Sequence, residues 1–125
     1  MRSDQTLLKW YKIINKKFFD GSCPTKVCVR WSDPNSEVEK GVHDGKYFGW
    51  ACKVENDPYH EYEIVMCKKL NEKWAVRMST LVHEMIHLAN GLRDNHGPAF
   101  ELCREYIAKK GIFKKHALRK DRTLF

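Results

Sequence analysis

The stretch His83-Glu84-Met85-Ile86-His87 constrains this chain more than any other. Two histidines four residues apart on a helix differ by about 40° around its axis, so both imidazoles leave the same face. They can then reach one zinc ion at about 2.0–2.1 Å from each ring nitrogen. Glu84, one step round from His83, stands at the edge of that face. There a carboxylate can take a proton from water without occupying a coordination position. Catalytic zinc sites take three protein ligands. His96, past His87 and beyond a Gly91 able to stop the helix, is the best-placed third ligand.

The chemistry requires a helix here, and the surrounding pattern supplies one. Val76, Leu81, Val82, Met85, Ile86 and Ala89 fall at helical apolar spacing. Asn71 is placed to cap a helix over residues 72–90, and Gly91 lies just past its end. Pro98 suits the first turn of a last helix over residues 98–110, ended by Gly111, with Phe100, Cys103 and Ile107 as its buried stripe. Near the start, Leu7, Trp10, Tyr11, Ile14 and Phe18 form the apolar stripe of a helix over residues 4–19, stopped by Asp20-Gly21. Its lysines Lys9, Lys12, Lys16 and Lys17 read as a solvated face.

Three strands are expected between the helices. Residues 25–31 alternate Val27, Val29 and Trp31 with Lys26, Cys28 and Arg30, the pattern of a half-buried strand. Residues 32–46 are polar and read as loop. Residues 47–55 and 61–68 are the other two strands, joined at Asn56-Asp57-Pro58 as an antiparallel hairpin. His43 and His60 sit on or beside loops and read as surface histidines. The order helix, strands, motif helix, ligand loop, helix gives an α+β fold with a small antiparallel or mixed sheet of about three strands.

At this point the residues resemble a known family. Thr80 to His87, continued by His96-Gly97-Pro98-Ala99-Phe100, is similar to the SprT-like zinc metalloprotease domain. Leu8, Tyr11, Ile14-Asn15 and Phe18-Phe19 with Cys23-Pro24 are similar to the family's opening helix and its exit. The resemblance implies a minimal zincin fold, with His83, His87 and His96 as zinc ligands, Glu84 as the catalytic glutamate and one zinc per chain. It also implies an exposed edge strand beside the zinc, along which a substrate peptide lies extended. Which strand forms that edge is not readable here. Substrates implied by the resemblance are proteins bound or crosslinked to DNA.

Other zincin arrangements fit less well. A third ligand six residues after His87 falls on Arg93, and a glutamate ligand falls on Glu101 or Glu105, on the helix that His96 precedes. Asp94 is the nearby substitute for His96. Tyr47, Tyr59, Arg93 and His116 are all chemically able to stabilise an oxyanion.

Length and composition bound the rest. A chain of 125 residues, 42% hydrophobic, makes one domain with its own core. Five cysteines, Cys23, Cys28, Cys52, Cys67 and Cys103, are scattered without a Cys-x-x-Cys pair and read as core residues in a reducing compartment. The four-cysteine zinc ribbon that often follows SprT-like domains has no counterpart among them. No apolar run reaches membrane-span length and no secretory segment opens the chain, so a cytoplasmic location is expected, at the nucleoid or DNA, or nuclear in a eukaryote. The net charge is +7, and residues 104–125 hold eight Lys or Arg against two Asp or Glu, a local excess of +6. Residues 1–111 read as the metalloprotease domain and 112–125 as a basic C-terminal segment. Lys114, Lys115, Arg119, Lys120 and Arg122 are its candidate DNA contacts. The expectation is a zinc-dependent endopeptidase acting on protein substrates, with DNA as partner and no membrane. The rivals are a zinc-stabilised nucleic-acid-binding module without catalysis, and a zinc peptidase on free peptides. Glu84 favours the enzyme, because a structural zinc site needs a closed shell and no general base.

Overall fold

A computed structural model describes residues 2–40, 44–92, 96–114 and 117–119. Helix α1 spans Gln5–Phe18, strands β1, β2 and β3 span Val27–Trp31, Gly49–Lys53 and Tyr62–Met66, helix α2 spans Trp74–Ala89 and helix α3 spans Pro98–Lys109. The α+β expectation holds. The sheet is mixed, in the order β1-β3-β2. The hairpin expected of β2 and β3 is indeed antiparallel, whereas β1 pairs β3 in parallel, Val29 opposite Ile64.

The central strand is therefore β3, and the two edges differ. Along β1, the Asp4 N–H donates to the Val29 carbonyl (2.8 Å) and Ser3 Oγ accepts from the Val29 N–H (3.0 Å). The N-terminal segment thus blunts that edge. Beside β2 no further strand lies among the described residues.

Asp4 does more than precede α1. Its carboxylate accepts from the Leu7 N–H and so caps the helix, which starts one residue later than the apolar pattern suggests. Leu7, Trp10, Tyr11, Ile14 and Phe18 are all buried, as the stripe requires. Asn15 is buried too, clamping the backbone of Cys23 from both sides (N–H to Oδ1 2.9 Å, Nδ2 to carbonyl 3.2 Å). With these side chains pack Val27, Val29, Ile64 and Met66 of the sheet and Leu81, Val82, Met85 and Ile86 of α2. Cys23, Cys28 and Cys67 are buried, Cys52 and Cys103 half-buried, and all five are free thiols.

Two expectations need correction. The face of β1 carrying Cys28 and Arg30 is not open to water. The segment after β1 folds back over it, and Glu39 meets Arg30 through two 2.8 Å hydrogen bonds while Glu63 of β3 holds the same guanidinium at 3.2 Å. Asn71 does not cap α2. That position falls to Lys73, whose side chain makes no cap bond. Asn71 is fully buried and donates to the carbonyls of Phe48 (2.9 Å) and Cys67 (2.6 Å), while the Thr80 hydroxyl donates to it. Buried carbonyls in a turn must find donors, and a side-chain amide supplies two.

A candidate metal centre in an open cleft

Helix α2 packs against β2 and β3, and its polar ridge faces the β2 edge. Glycine at position 49 is what permits this approach. A Cβ there would lie 2.8 Å from the Val65 carbonyl oxygen and 3.4 Å from Thr80 Cγ2. After Ala89 the chain reverses through two left-handed residues, Gly91 (φ 66°) and Leu92 (φ 61°), whose N–H groups donate to the carbonyls of Leu88 and His87 at 3.0 Å. His96 is thereby returned to the ridge it left.

The three histidines converge. His83 Nε2 lies 3.3 Å from His87 Nε2 and 3.1 Å from His96 Nε2, and the three ligand atoms all fall within 4.8 Å of one another. Two nitrogens bound to one tetrahedral zinc at about 2.0–2.1 Å are held about 3.3–3.4 Å apart by geometry alone. The donor set and its spacing therefore fit zinc. Among the described residues no other group of three such side chains comes together. A family model for the SprT-like family matches residues 7–119. The chain belongs to the SprT-like family. No solved structure matches it. The family is zinc-dependent and its domains are metallopeptidase-like.

Against the imidazoles of this SprT-like domain packs Phe100, which the sequence marks both in the buried stripe of the last helix and in the continuation from His96 to Phe100. Phe100 is 4% exposed, and its ring centroid lies 5.0, 4.9 and 5.0 Å from those of His83, His87 and His96. One aromatic ring at the start of α3 packs against all three imidazoles. The sequence signal for it is the short spacing from His96 to Phe100, with Gly97 and Pro98 opening the helix between them.

Glu84 is 6% exposed, and burial pushes its carboxyl up to about 7. A cation at the histidines acts in the opposite direction and favours the carboxylate. His83 is held below the ordinary histidine value, first by burial and then by His96 beside it. That favours the neutral ring, the form with a lone pair to offer.

The cleft has two lobes that share Tyr47, Gly49, His83 and Glu84. One, of about 620 Å³, runs along β2 past His87 and His96; the other, of about 660 Å³, opens toward the start of α2. Of the four oxyanion candidates, Tyr47 lines both lobes. Tyr59 lies in the β2–β3 connection, 78% exposed and in neither lining, and Arg93 and His116 lie outside the described residues.

The remaining candidates fall as follows. Asp94 and His43 lie outside the described residues. His60 pairs with Asp57 at 3.1 Å, away from the cluster, and Glu101 and Glu105 are exposed on α3. Lys114 and Arg119 are exposed, on a segment that also buries Ile112 and Ala117 and whose Leu118 carbonyl accepts from the Trp74 indole at 2.7 Å. Lys115, Lys120 and Arg122 lie outside the described residues. Among the described residues no helix is long and apolar enough to cross a membrane.

Proposed function

We propose that this chain is a zinc-dependent endopeptidase acting on proteins held on DNA. The observation that carries the hydrolytic part is the convergence of His83, His87 and His96 beside a buried Glu84, in a cleft bordered by the open edge of β2. His83, His87 and His96 hold the zinc. When bound, zinc acts as a Lewis acid on the scissile carbonyl and lowers the pKa of water. Glu84 takes the proton from the attacking water and passes it to the amide nitrogen as the C–N bond breaks, leaving a carboxylate and an amine. Tyr47, which lines both lobes, is the donor assigned to the developing oxyanion in this reading. The substrate backbone lies along β2, an edge strand with no further strand beside it among the described residues, and adds a strand there. An open cleft with a general base weighs against a purely structural zinc.

The DNA part rests on charge. The excess of +6 over residues 104–125 includes Lys114 and Arg119, exposed on a segment fixed to the body of the domain beside α2. Nucleic acid held there stands close to the cleft, which raises the effective concentration of protein bound to it.

Metal analysis and a cleavage assay on a DNA-binding protein, with and without duplex DNA, test the reading. Because Ile112 and Ala117 are buried, charge is removed by substitution rather than truncation. Lys114→Gln with Arg119→Gln should flatten the slope of log affinity against log salt by about 0.9 for each phosphate no longer neutralised. Cleavage of DNA-bound protein should fall while cleavage of a free peptide persists. An unchanged slope removes this segment from the DNA surface. Zinc-loaded protein that hydrolyses no protein or peptide, with or without DNA, removes the protease reading.

A further inference from the structure

The lobe of the cleft toward the start of α2 contributes nothing to the metal cluster beyond His83, and its walls have a distinct composition. Two ridges of α2 run into it. Ala75 and Ser79 continue the line of His83 toward the helix start, and Val76 and Thr80 continue the line of Glu84. Small side chains over these two turns leave the space that the larger His83 and Glu84 then close. Opposite stand Tyr47 and Phe48, each 52% exposed. The buried Asn71 ties the two walls together, through the Phe48 carbonyl on one side and the Thr80 hydroxyl on the other.

We infer that this lobe is the specificity pocket of the enzyme, taking a large apolar side chain from the substrate residue that supplies the new amino terminus. The inference rests on the proposed peptidase reading. Two independent arguments set the polarity. The group that takes a proton from water must return it to the leaving nitrogen, so that nitrogen lies against Glu84. The lobe contains Glu84 but neither His87 nor His96, so a chain passing from the metal through the scissile nitrogen enters it on the amine side. The second argument comes from the edge strand. A peptide paired antiparallel with β2, the commoner pairing, runs from beside Lys53 toward Gly49, and its C-terminal half arrives at residues 46–49, the mouth of this lobe. The aromatic and aliphatic walls favour Leu, Met or Phe, and Lys46 at the lining disfavours Lys or Arg.

The test uses matched peptides that differ only at the residue after the scissile bond, Leu, Gly or Lys, in two measurements. The first is kcat/KM with the zinc-loaded chain. The second is binding of the same peptides to Glu84→Gln, where catalysis plays no part. Leu should exceed Gly by about ten- to a hundredfold in kcat/KM, the range one or more buried methylenes provide. Ser79→Leu and, separately, Ala75→Leu fill the lobe from exposed helix positions and should bring that ratio toward unity, with zinc content and melting temperature as checks on folding. A side-chain preference in binding, lost on filling, without any hydrolysis would keep the pocket and sink the peptidase reading. Hydrolysis or binding indifferent to this residue, or no peptide binding at all, overturns the pocket.

Discussion

Two clusters of polar side chains lie on opposite faces of the same small sheet, and they are built on opposite principles. On the outer face Arg30 sits between Glu39 and Glu63, with side chains 15%, 11% and 13% exposed. Glu39 also accepts from the Asp33 N–H at 2.8 Å. Opposite charges there pair within the fold, although Arg30 Nε is buried without a hydrogen-bond partner among the described residues. On the inner face three imidazoles point their Nε2 atoms at one another, and a glutamate is buried beside them. That set gathers like groups, three ring nitrogens converging on one point. A fold tolerates such a group where a ligand from outside completes it, which is how function can be told from structural charge pairing.

Substitution should separate the two most sharply at Glu84. Glu84→Gln keeps the shape of the side chain and removes its basicity. Proteolysis is expected to fall by about two to four orders of magnitude, with zinc content and denaturant midpoint close to the parent's. Substantial cleavage by a clean preparation of this variant would assign the proton to another group.

The outer cluster should respond in the reverse sense. Arg30→Met strands two carboxylates in a half-closed site and should cost about 3 kcal/mol of stability, read as a lower urea midpoint, with activity per folded molecule unchanged. Adding Glu39→Gln and Glu63→Gln to it should recover part of the loss, because the stranded charges are then gone. No recovery would mean that packing, not charge, holds segment 32–40 to the sheet.

The same pair makes a pH prediction. The Arg30 guanidinium holds the Glu39 carboxyl below the usual glutamate range, against the opposing effect of burial. A group whose folded pKa is depressed stabilises the fold above its unfolded value, and the contribution is lost as pH falls through the folded one. The stability gap between the parent and Glu39→Gln should therefore be full near neutrality. It should close from about pH 5 downward. A gap that stays constant to pH 3 would mean that Glu39 titrates alike in both states.

How much of this is legible in the sequence follows from what each feature depends on. The His83, Glu84 and His87 arrangement depends only on helical periodicity, and periodicity is written in the sequence. The hairpin of β2 and β3 depends on a short turn, Asn56-Asp57-Pro58, and is legible for the same reason. The parallel pairing of β1 with β3 depends on β2 taking the outer place, a choice made by the packing of α2 against Gly49 and Ala51, which no local pattern records. Asn71 misleads because its local signal, a capping residue before a helix, is overridden by the buried carbonyls of Phe48 and Cys67. Glu39 looks like a loop charge because its partner, Arg30, sits on the strand face that alternation reads as polar. The pocket residues Ala75 and Ser79 carry no chemistry of their own, yet their positions two turns and one turn before His83 mark them as the continuation of its ridge.

Phe100 tests how far the open cluster is preorganised by its surroundings. Its ring lies about equally far from all three imidazoles, so truncating it frees each of them to take other rotamers in the metal-free protein. Binding must then order them again, a cost of the kind that lowers affinity when groups supporting a metal ligand are removed, typically 10–100-fold. Phe100→Leu keeps an apolar side chain at the start of α3 and limits the cavity, so the metal-free fold should lose about 1–2 kcal/mol. The zinc dissociation constant should rise about tenfold, measured by competition with a chelator at a pH where the parent is saturated. Metal-free stability measured alongside separates the two effects. A variant that loses stability but keeps the parent's zinc affinity would show that α2 and the Gly91-Leu92 reversal alone hold the histidines. A variant that loses affinity beyond its loss of stability would show that the Phe100 ring sets the geometry of the site.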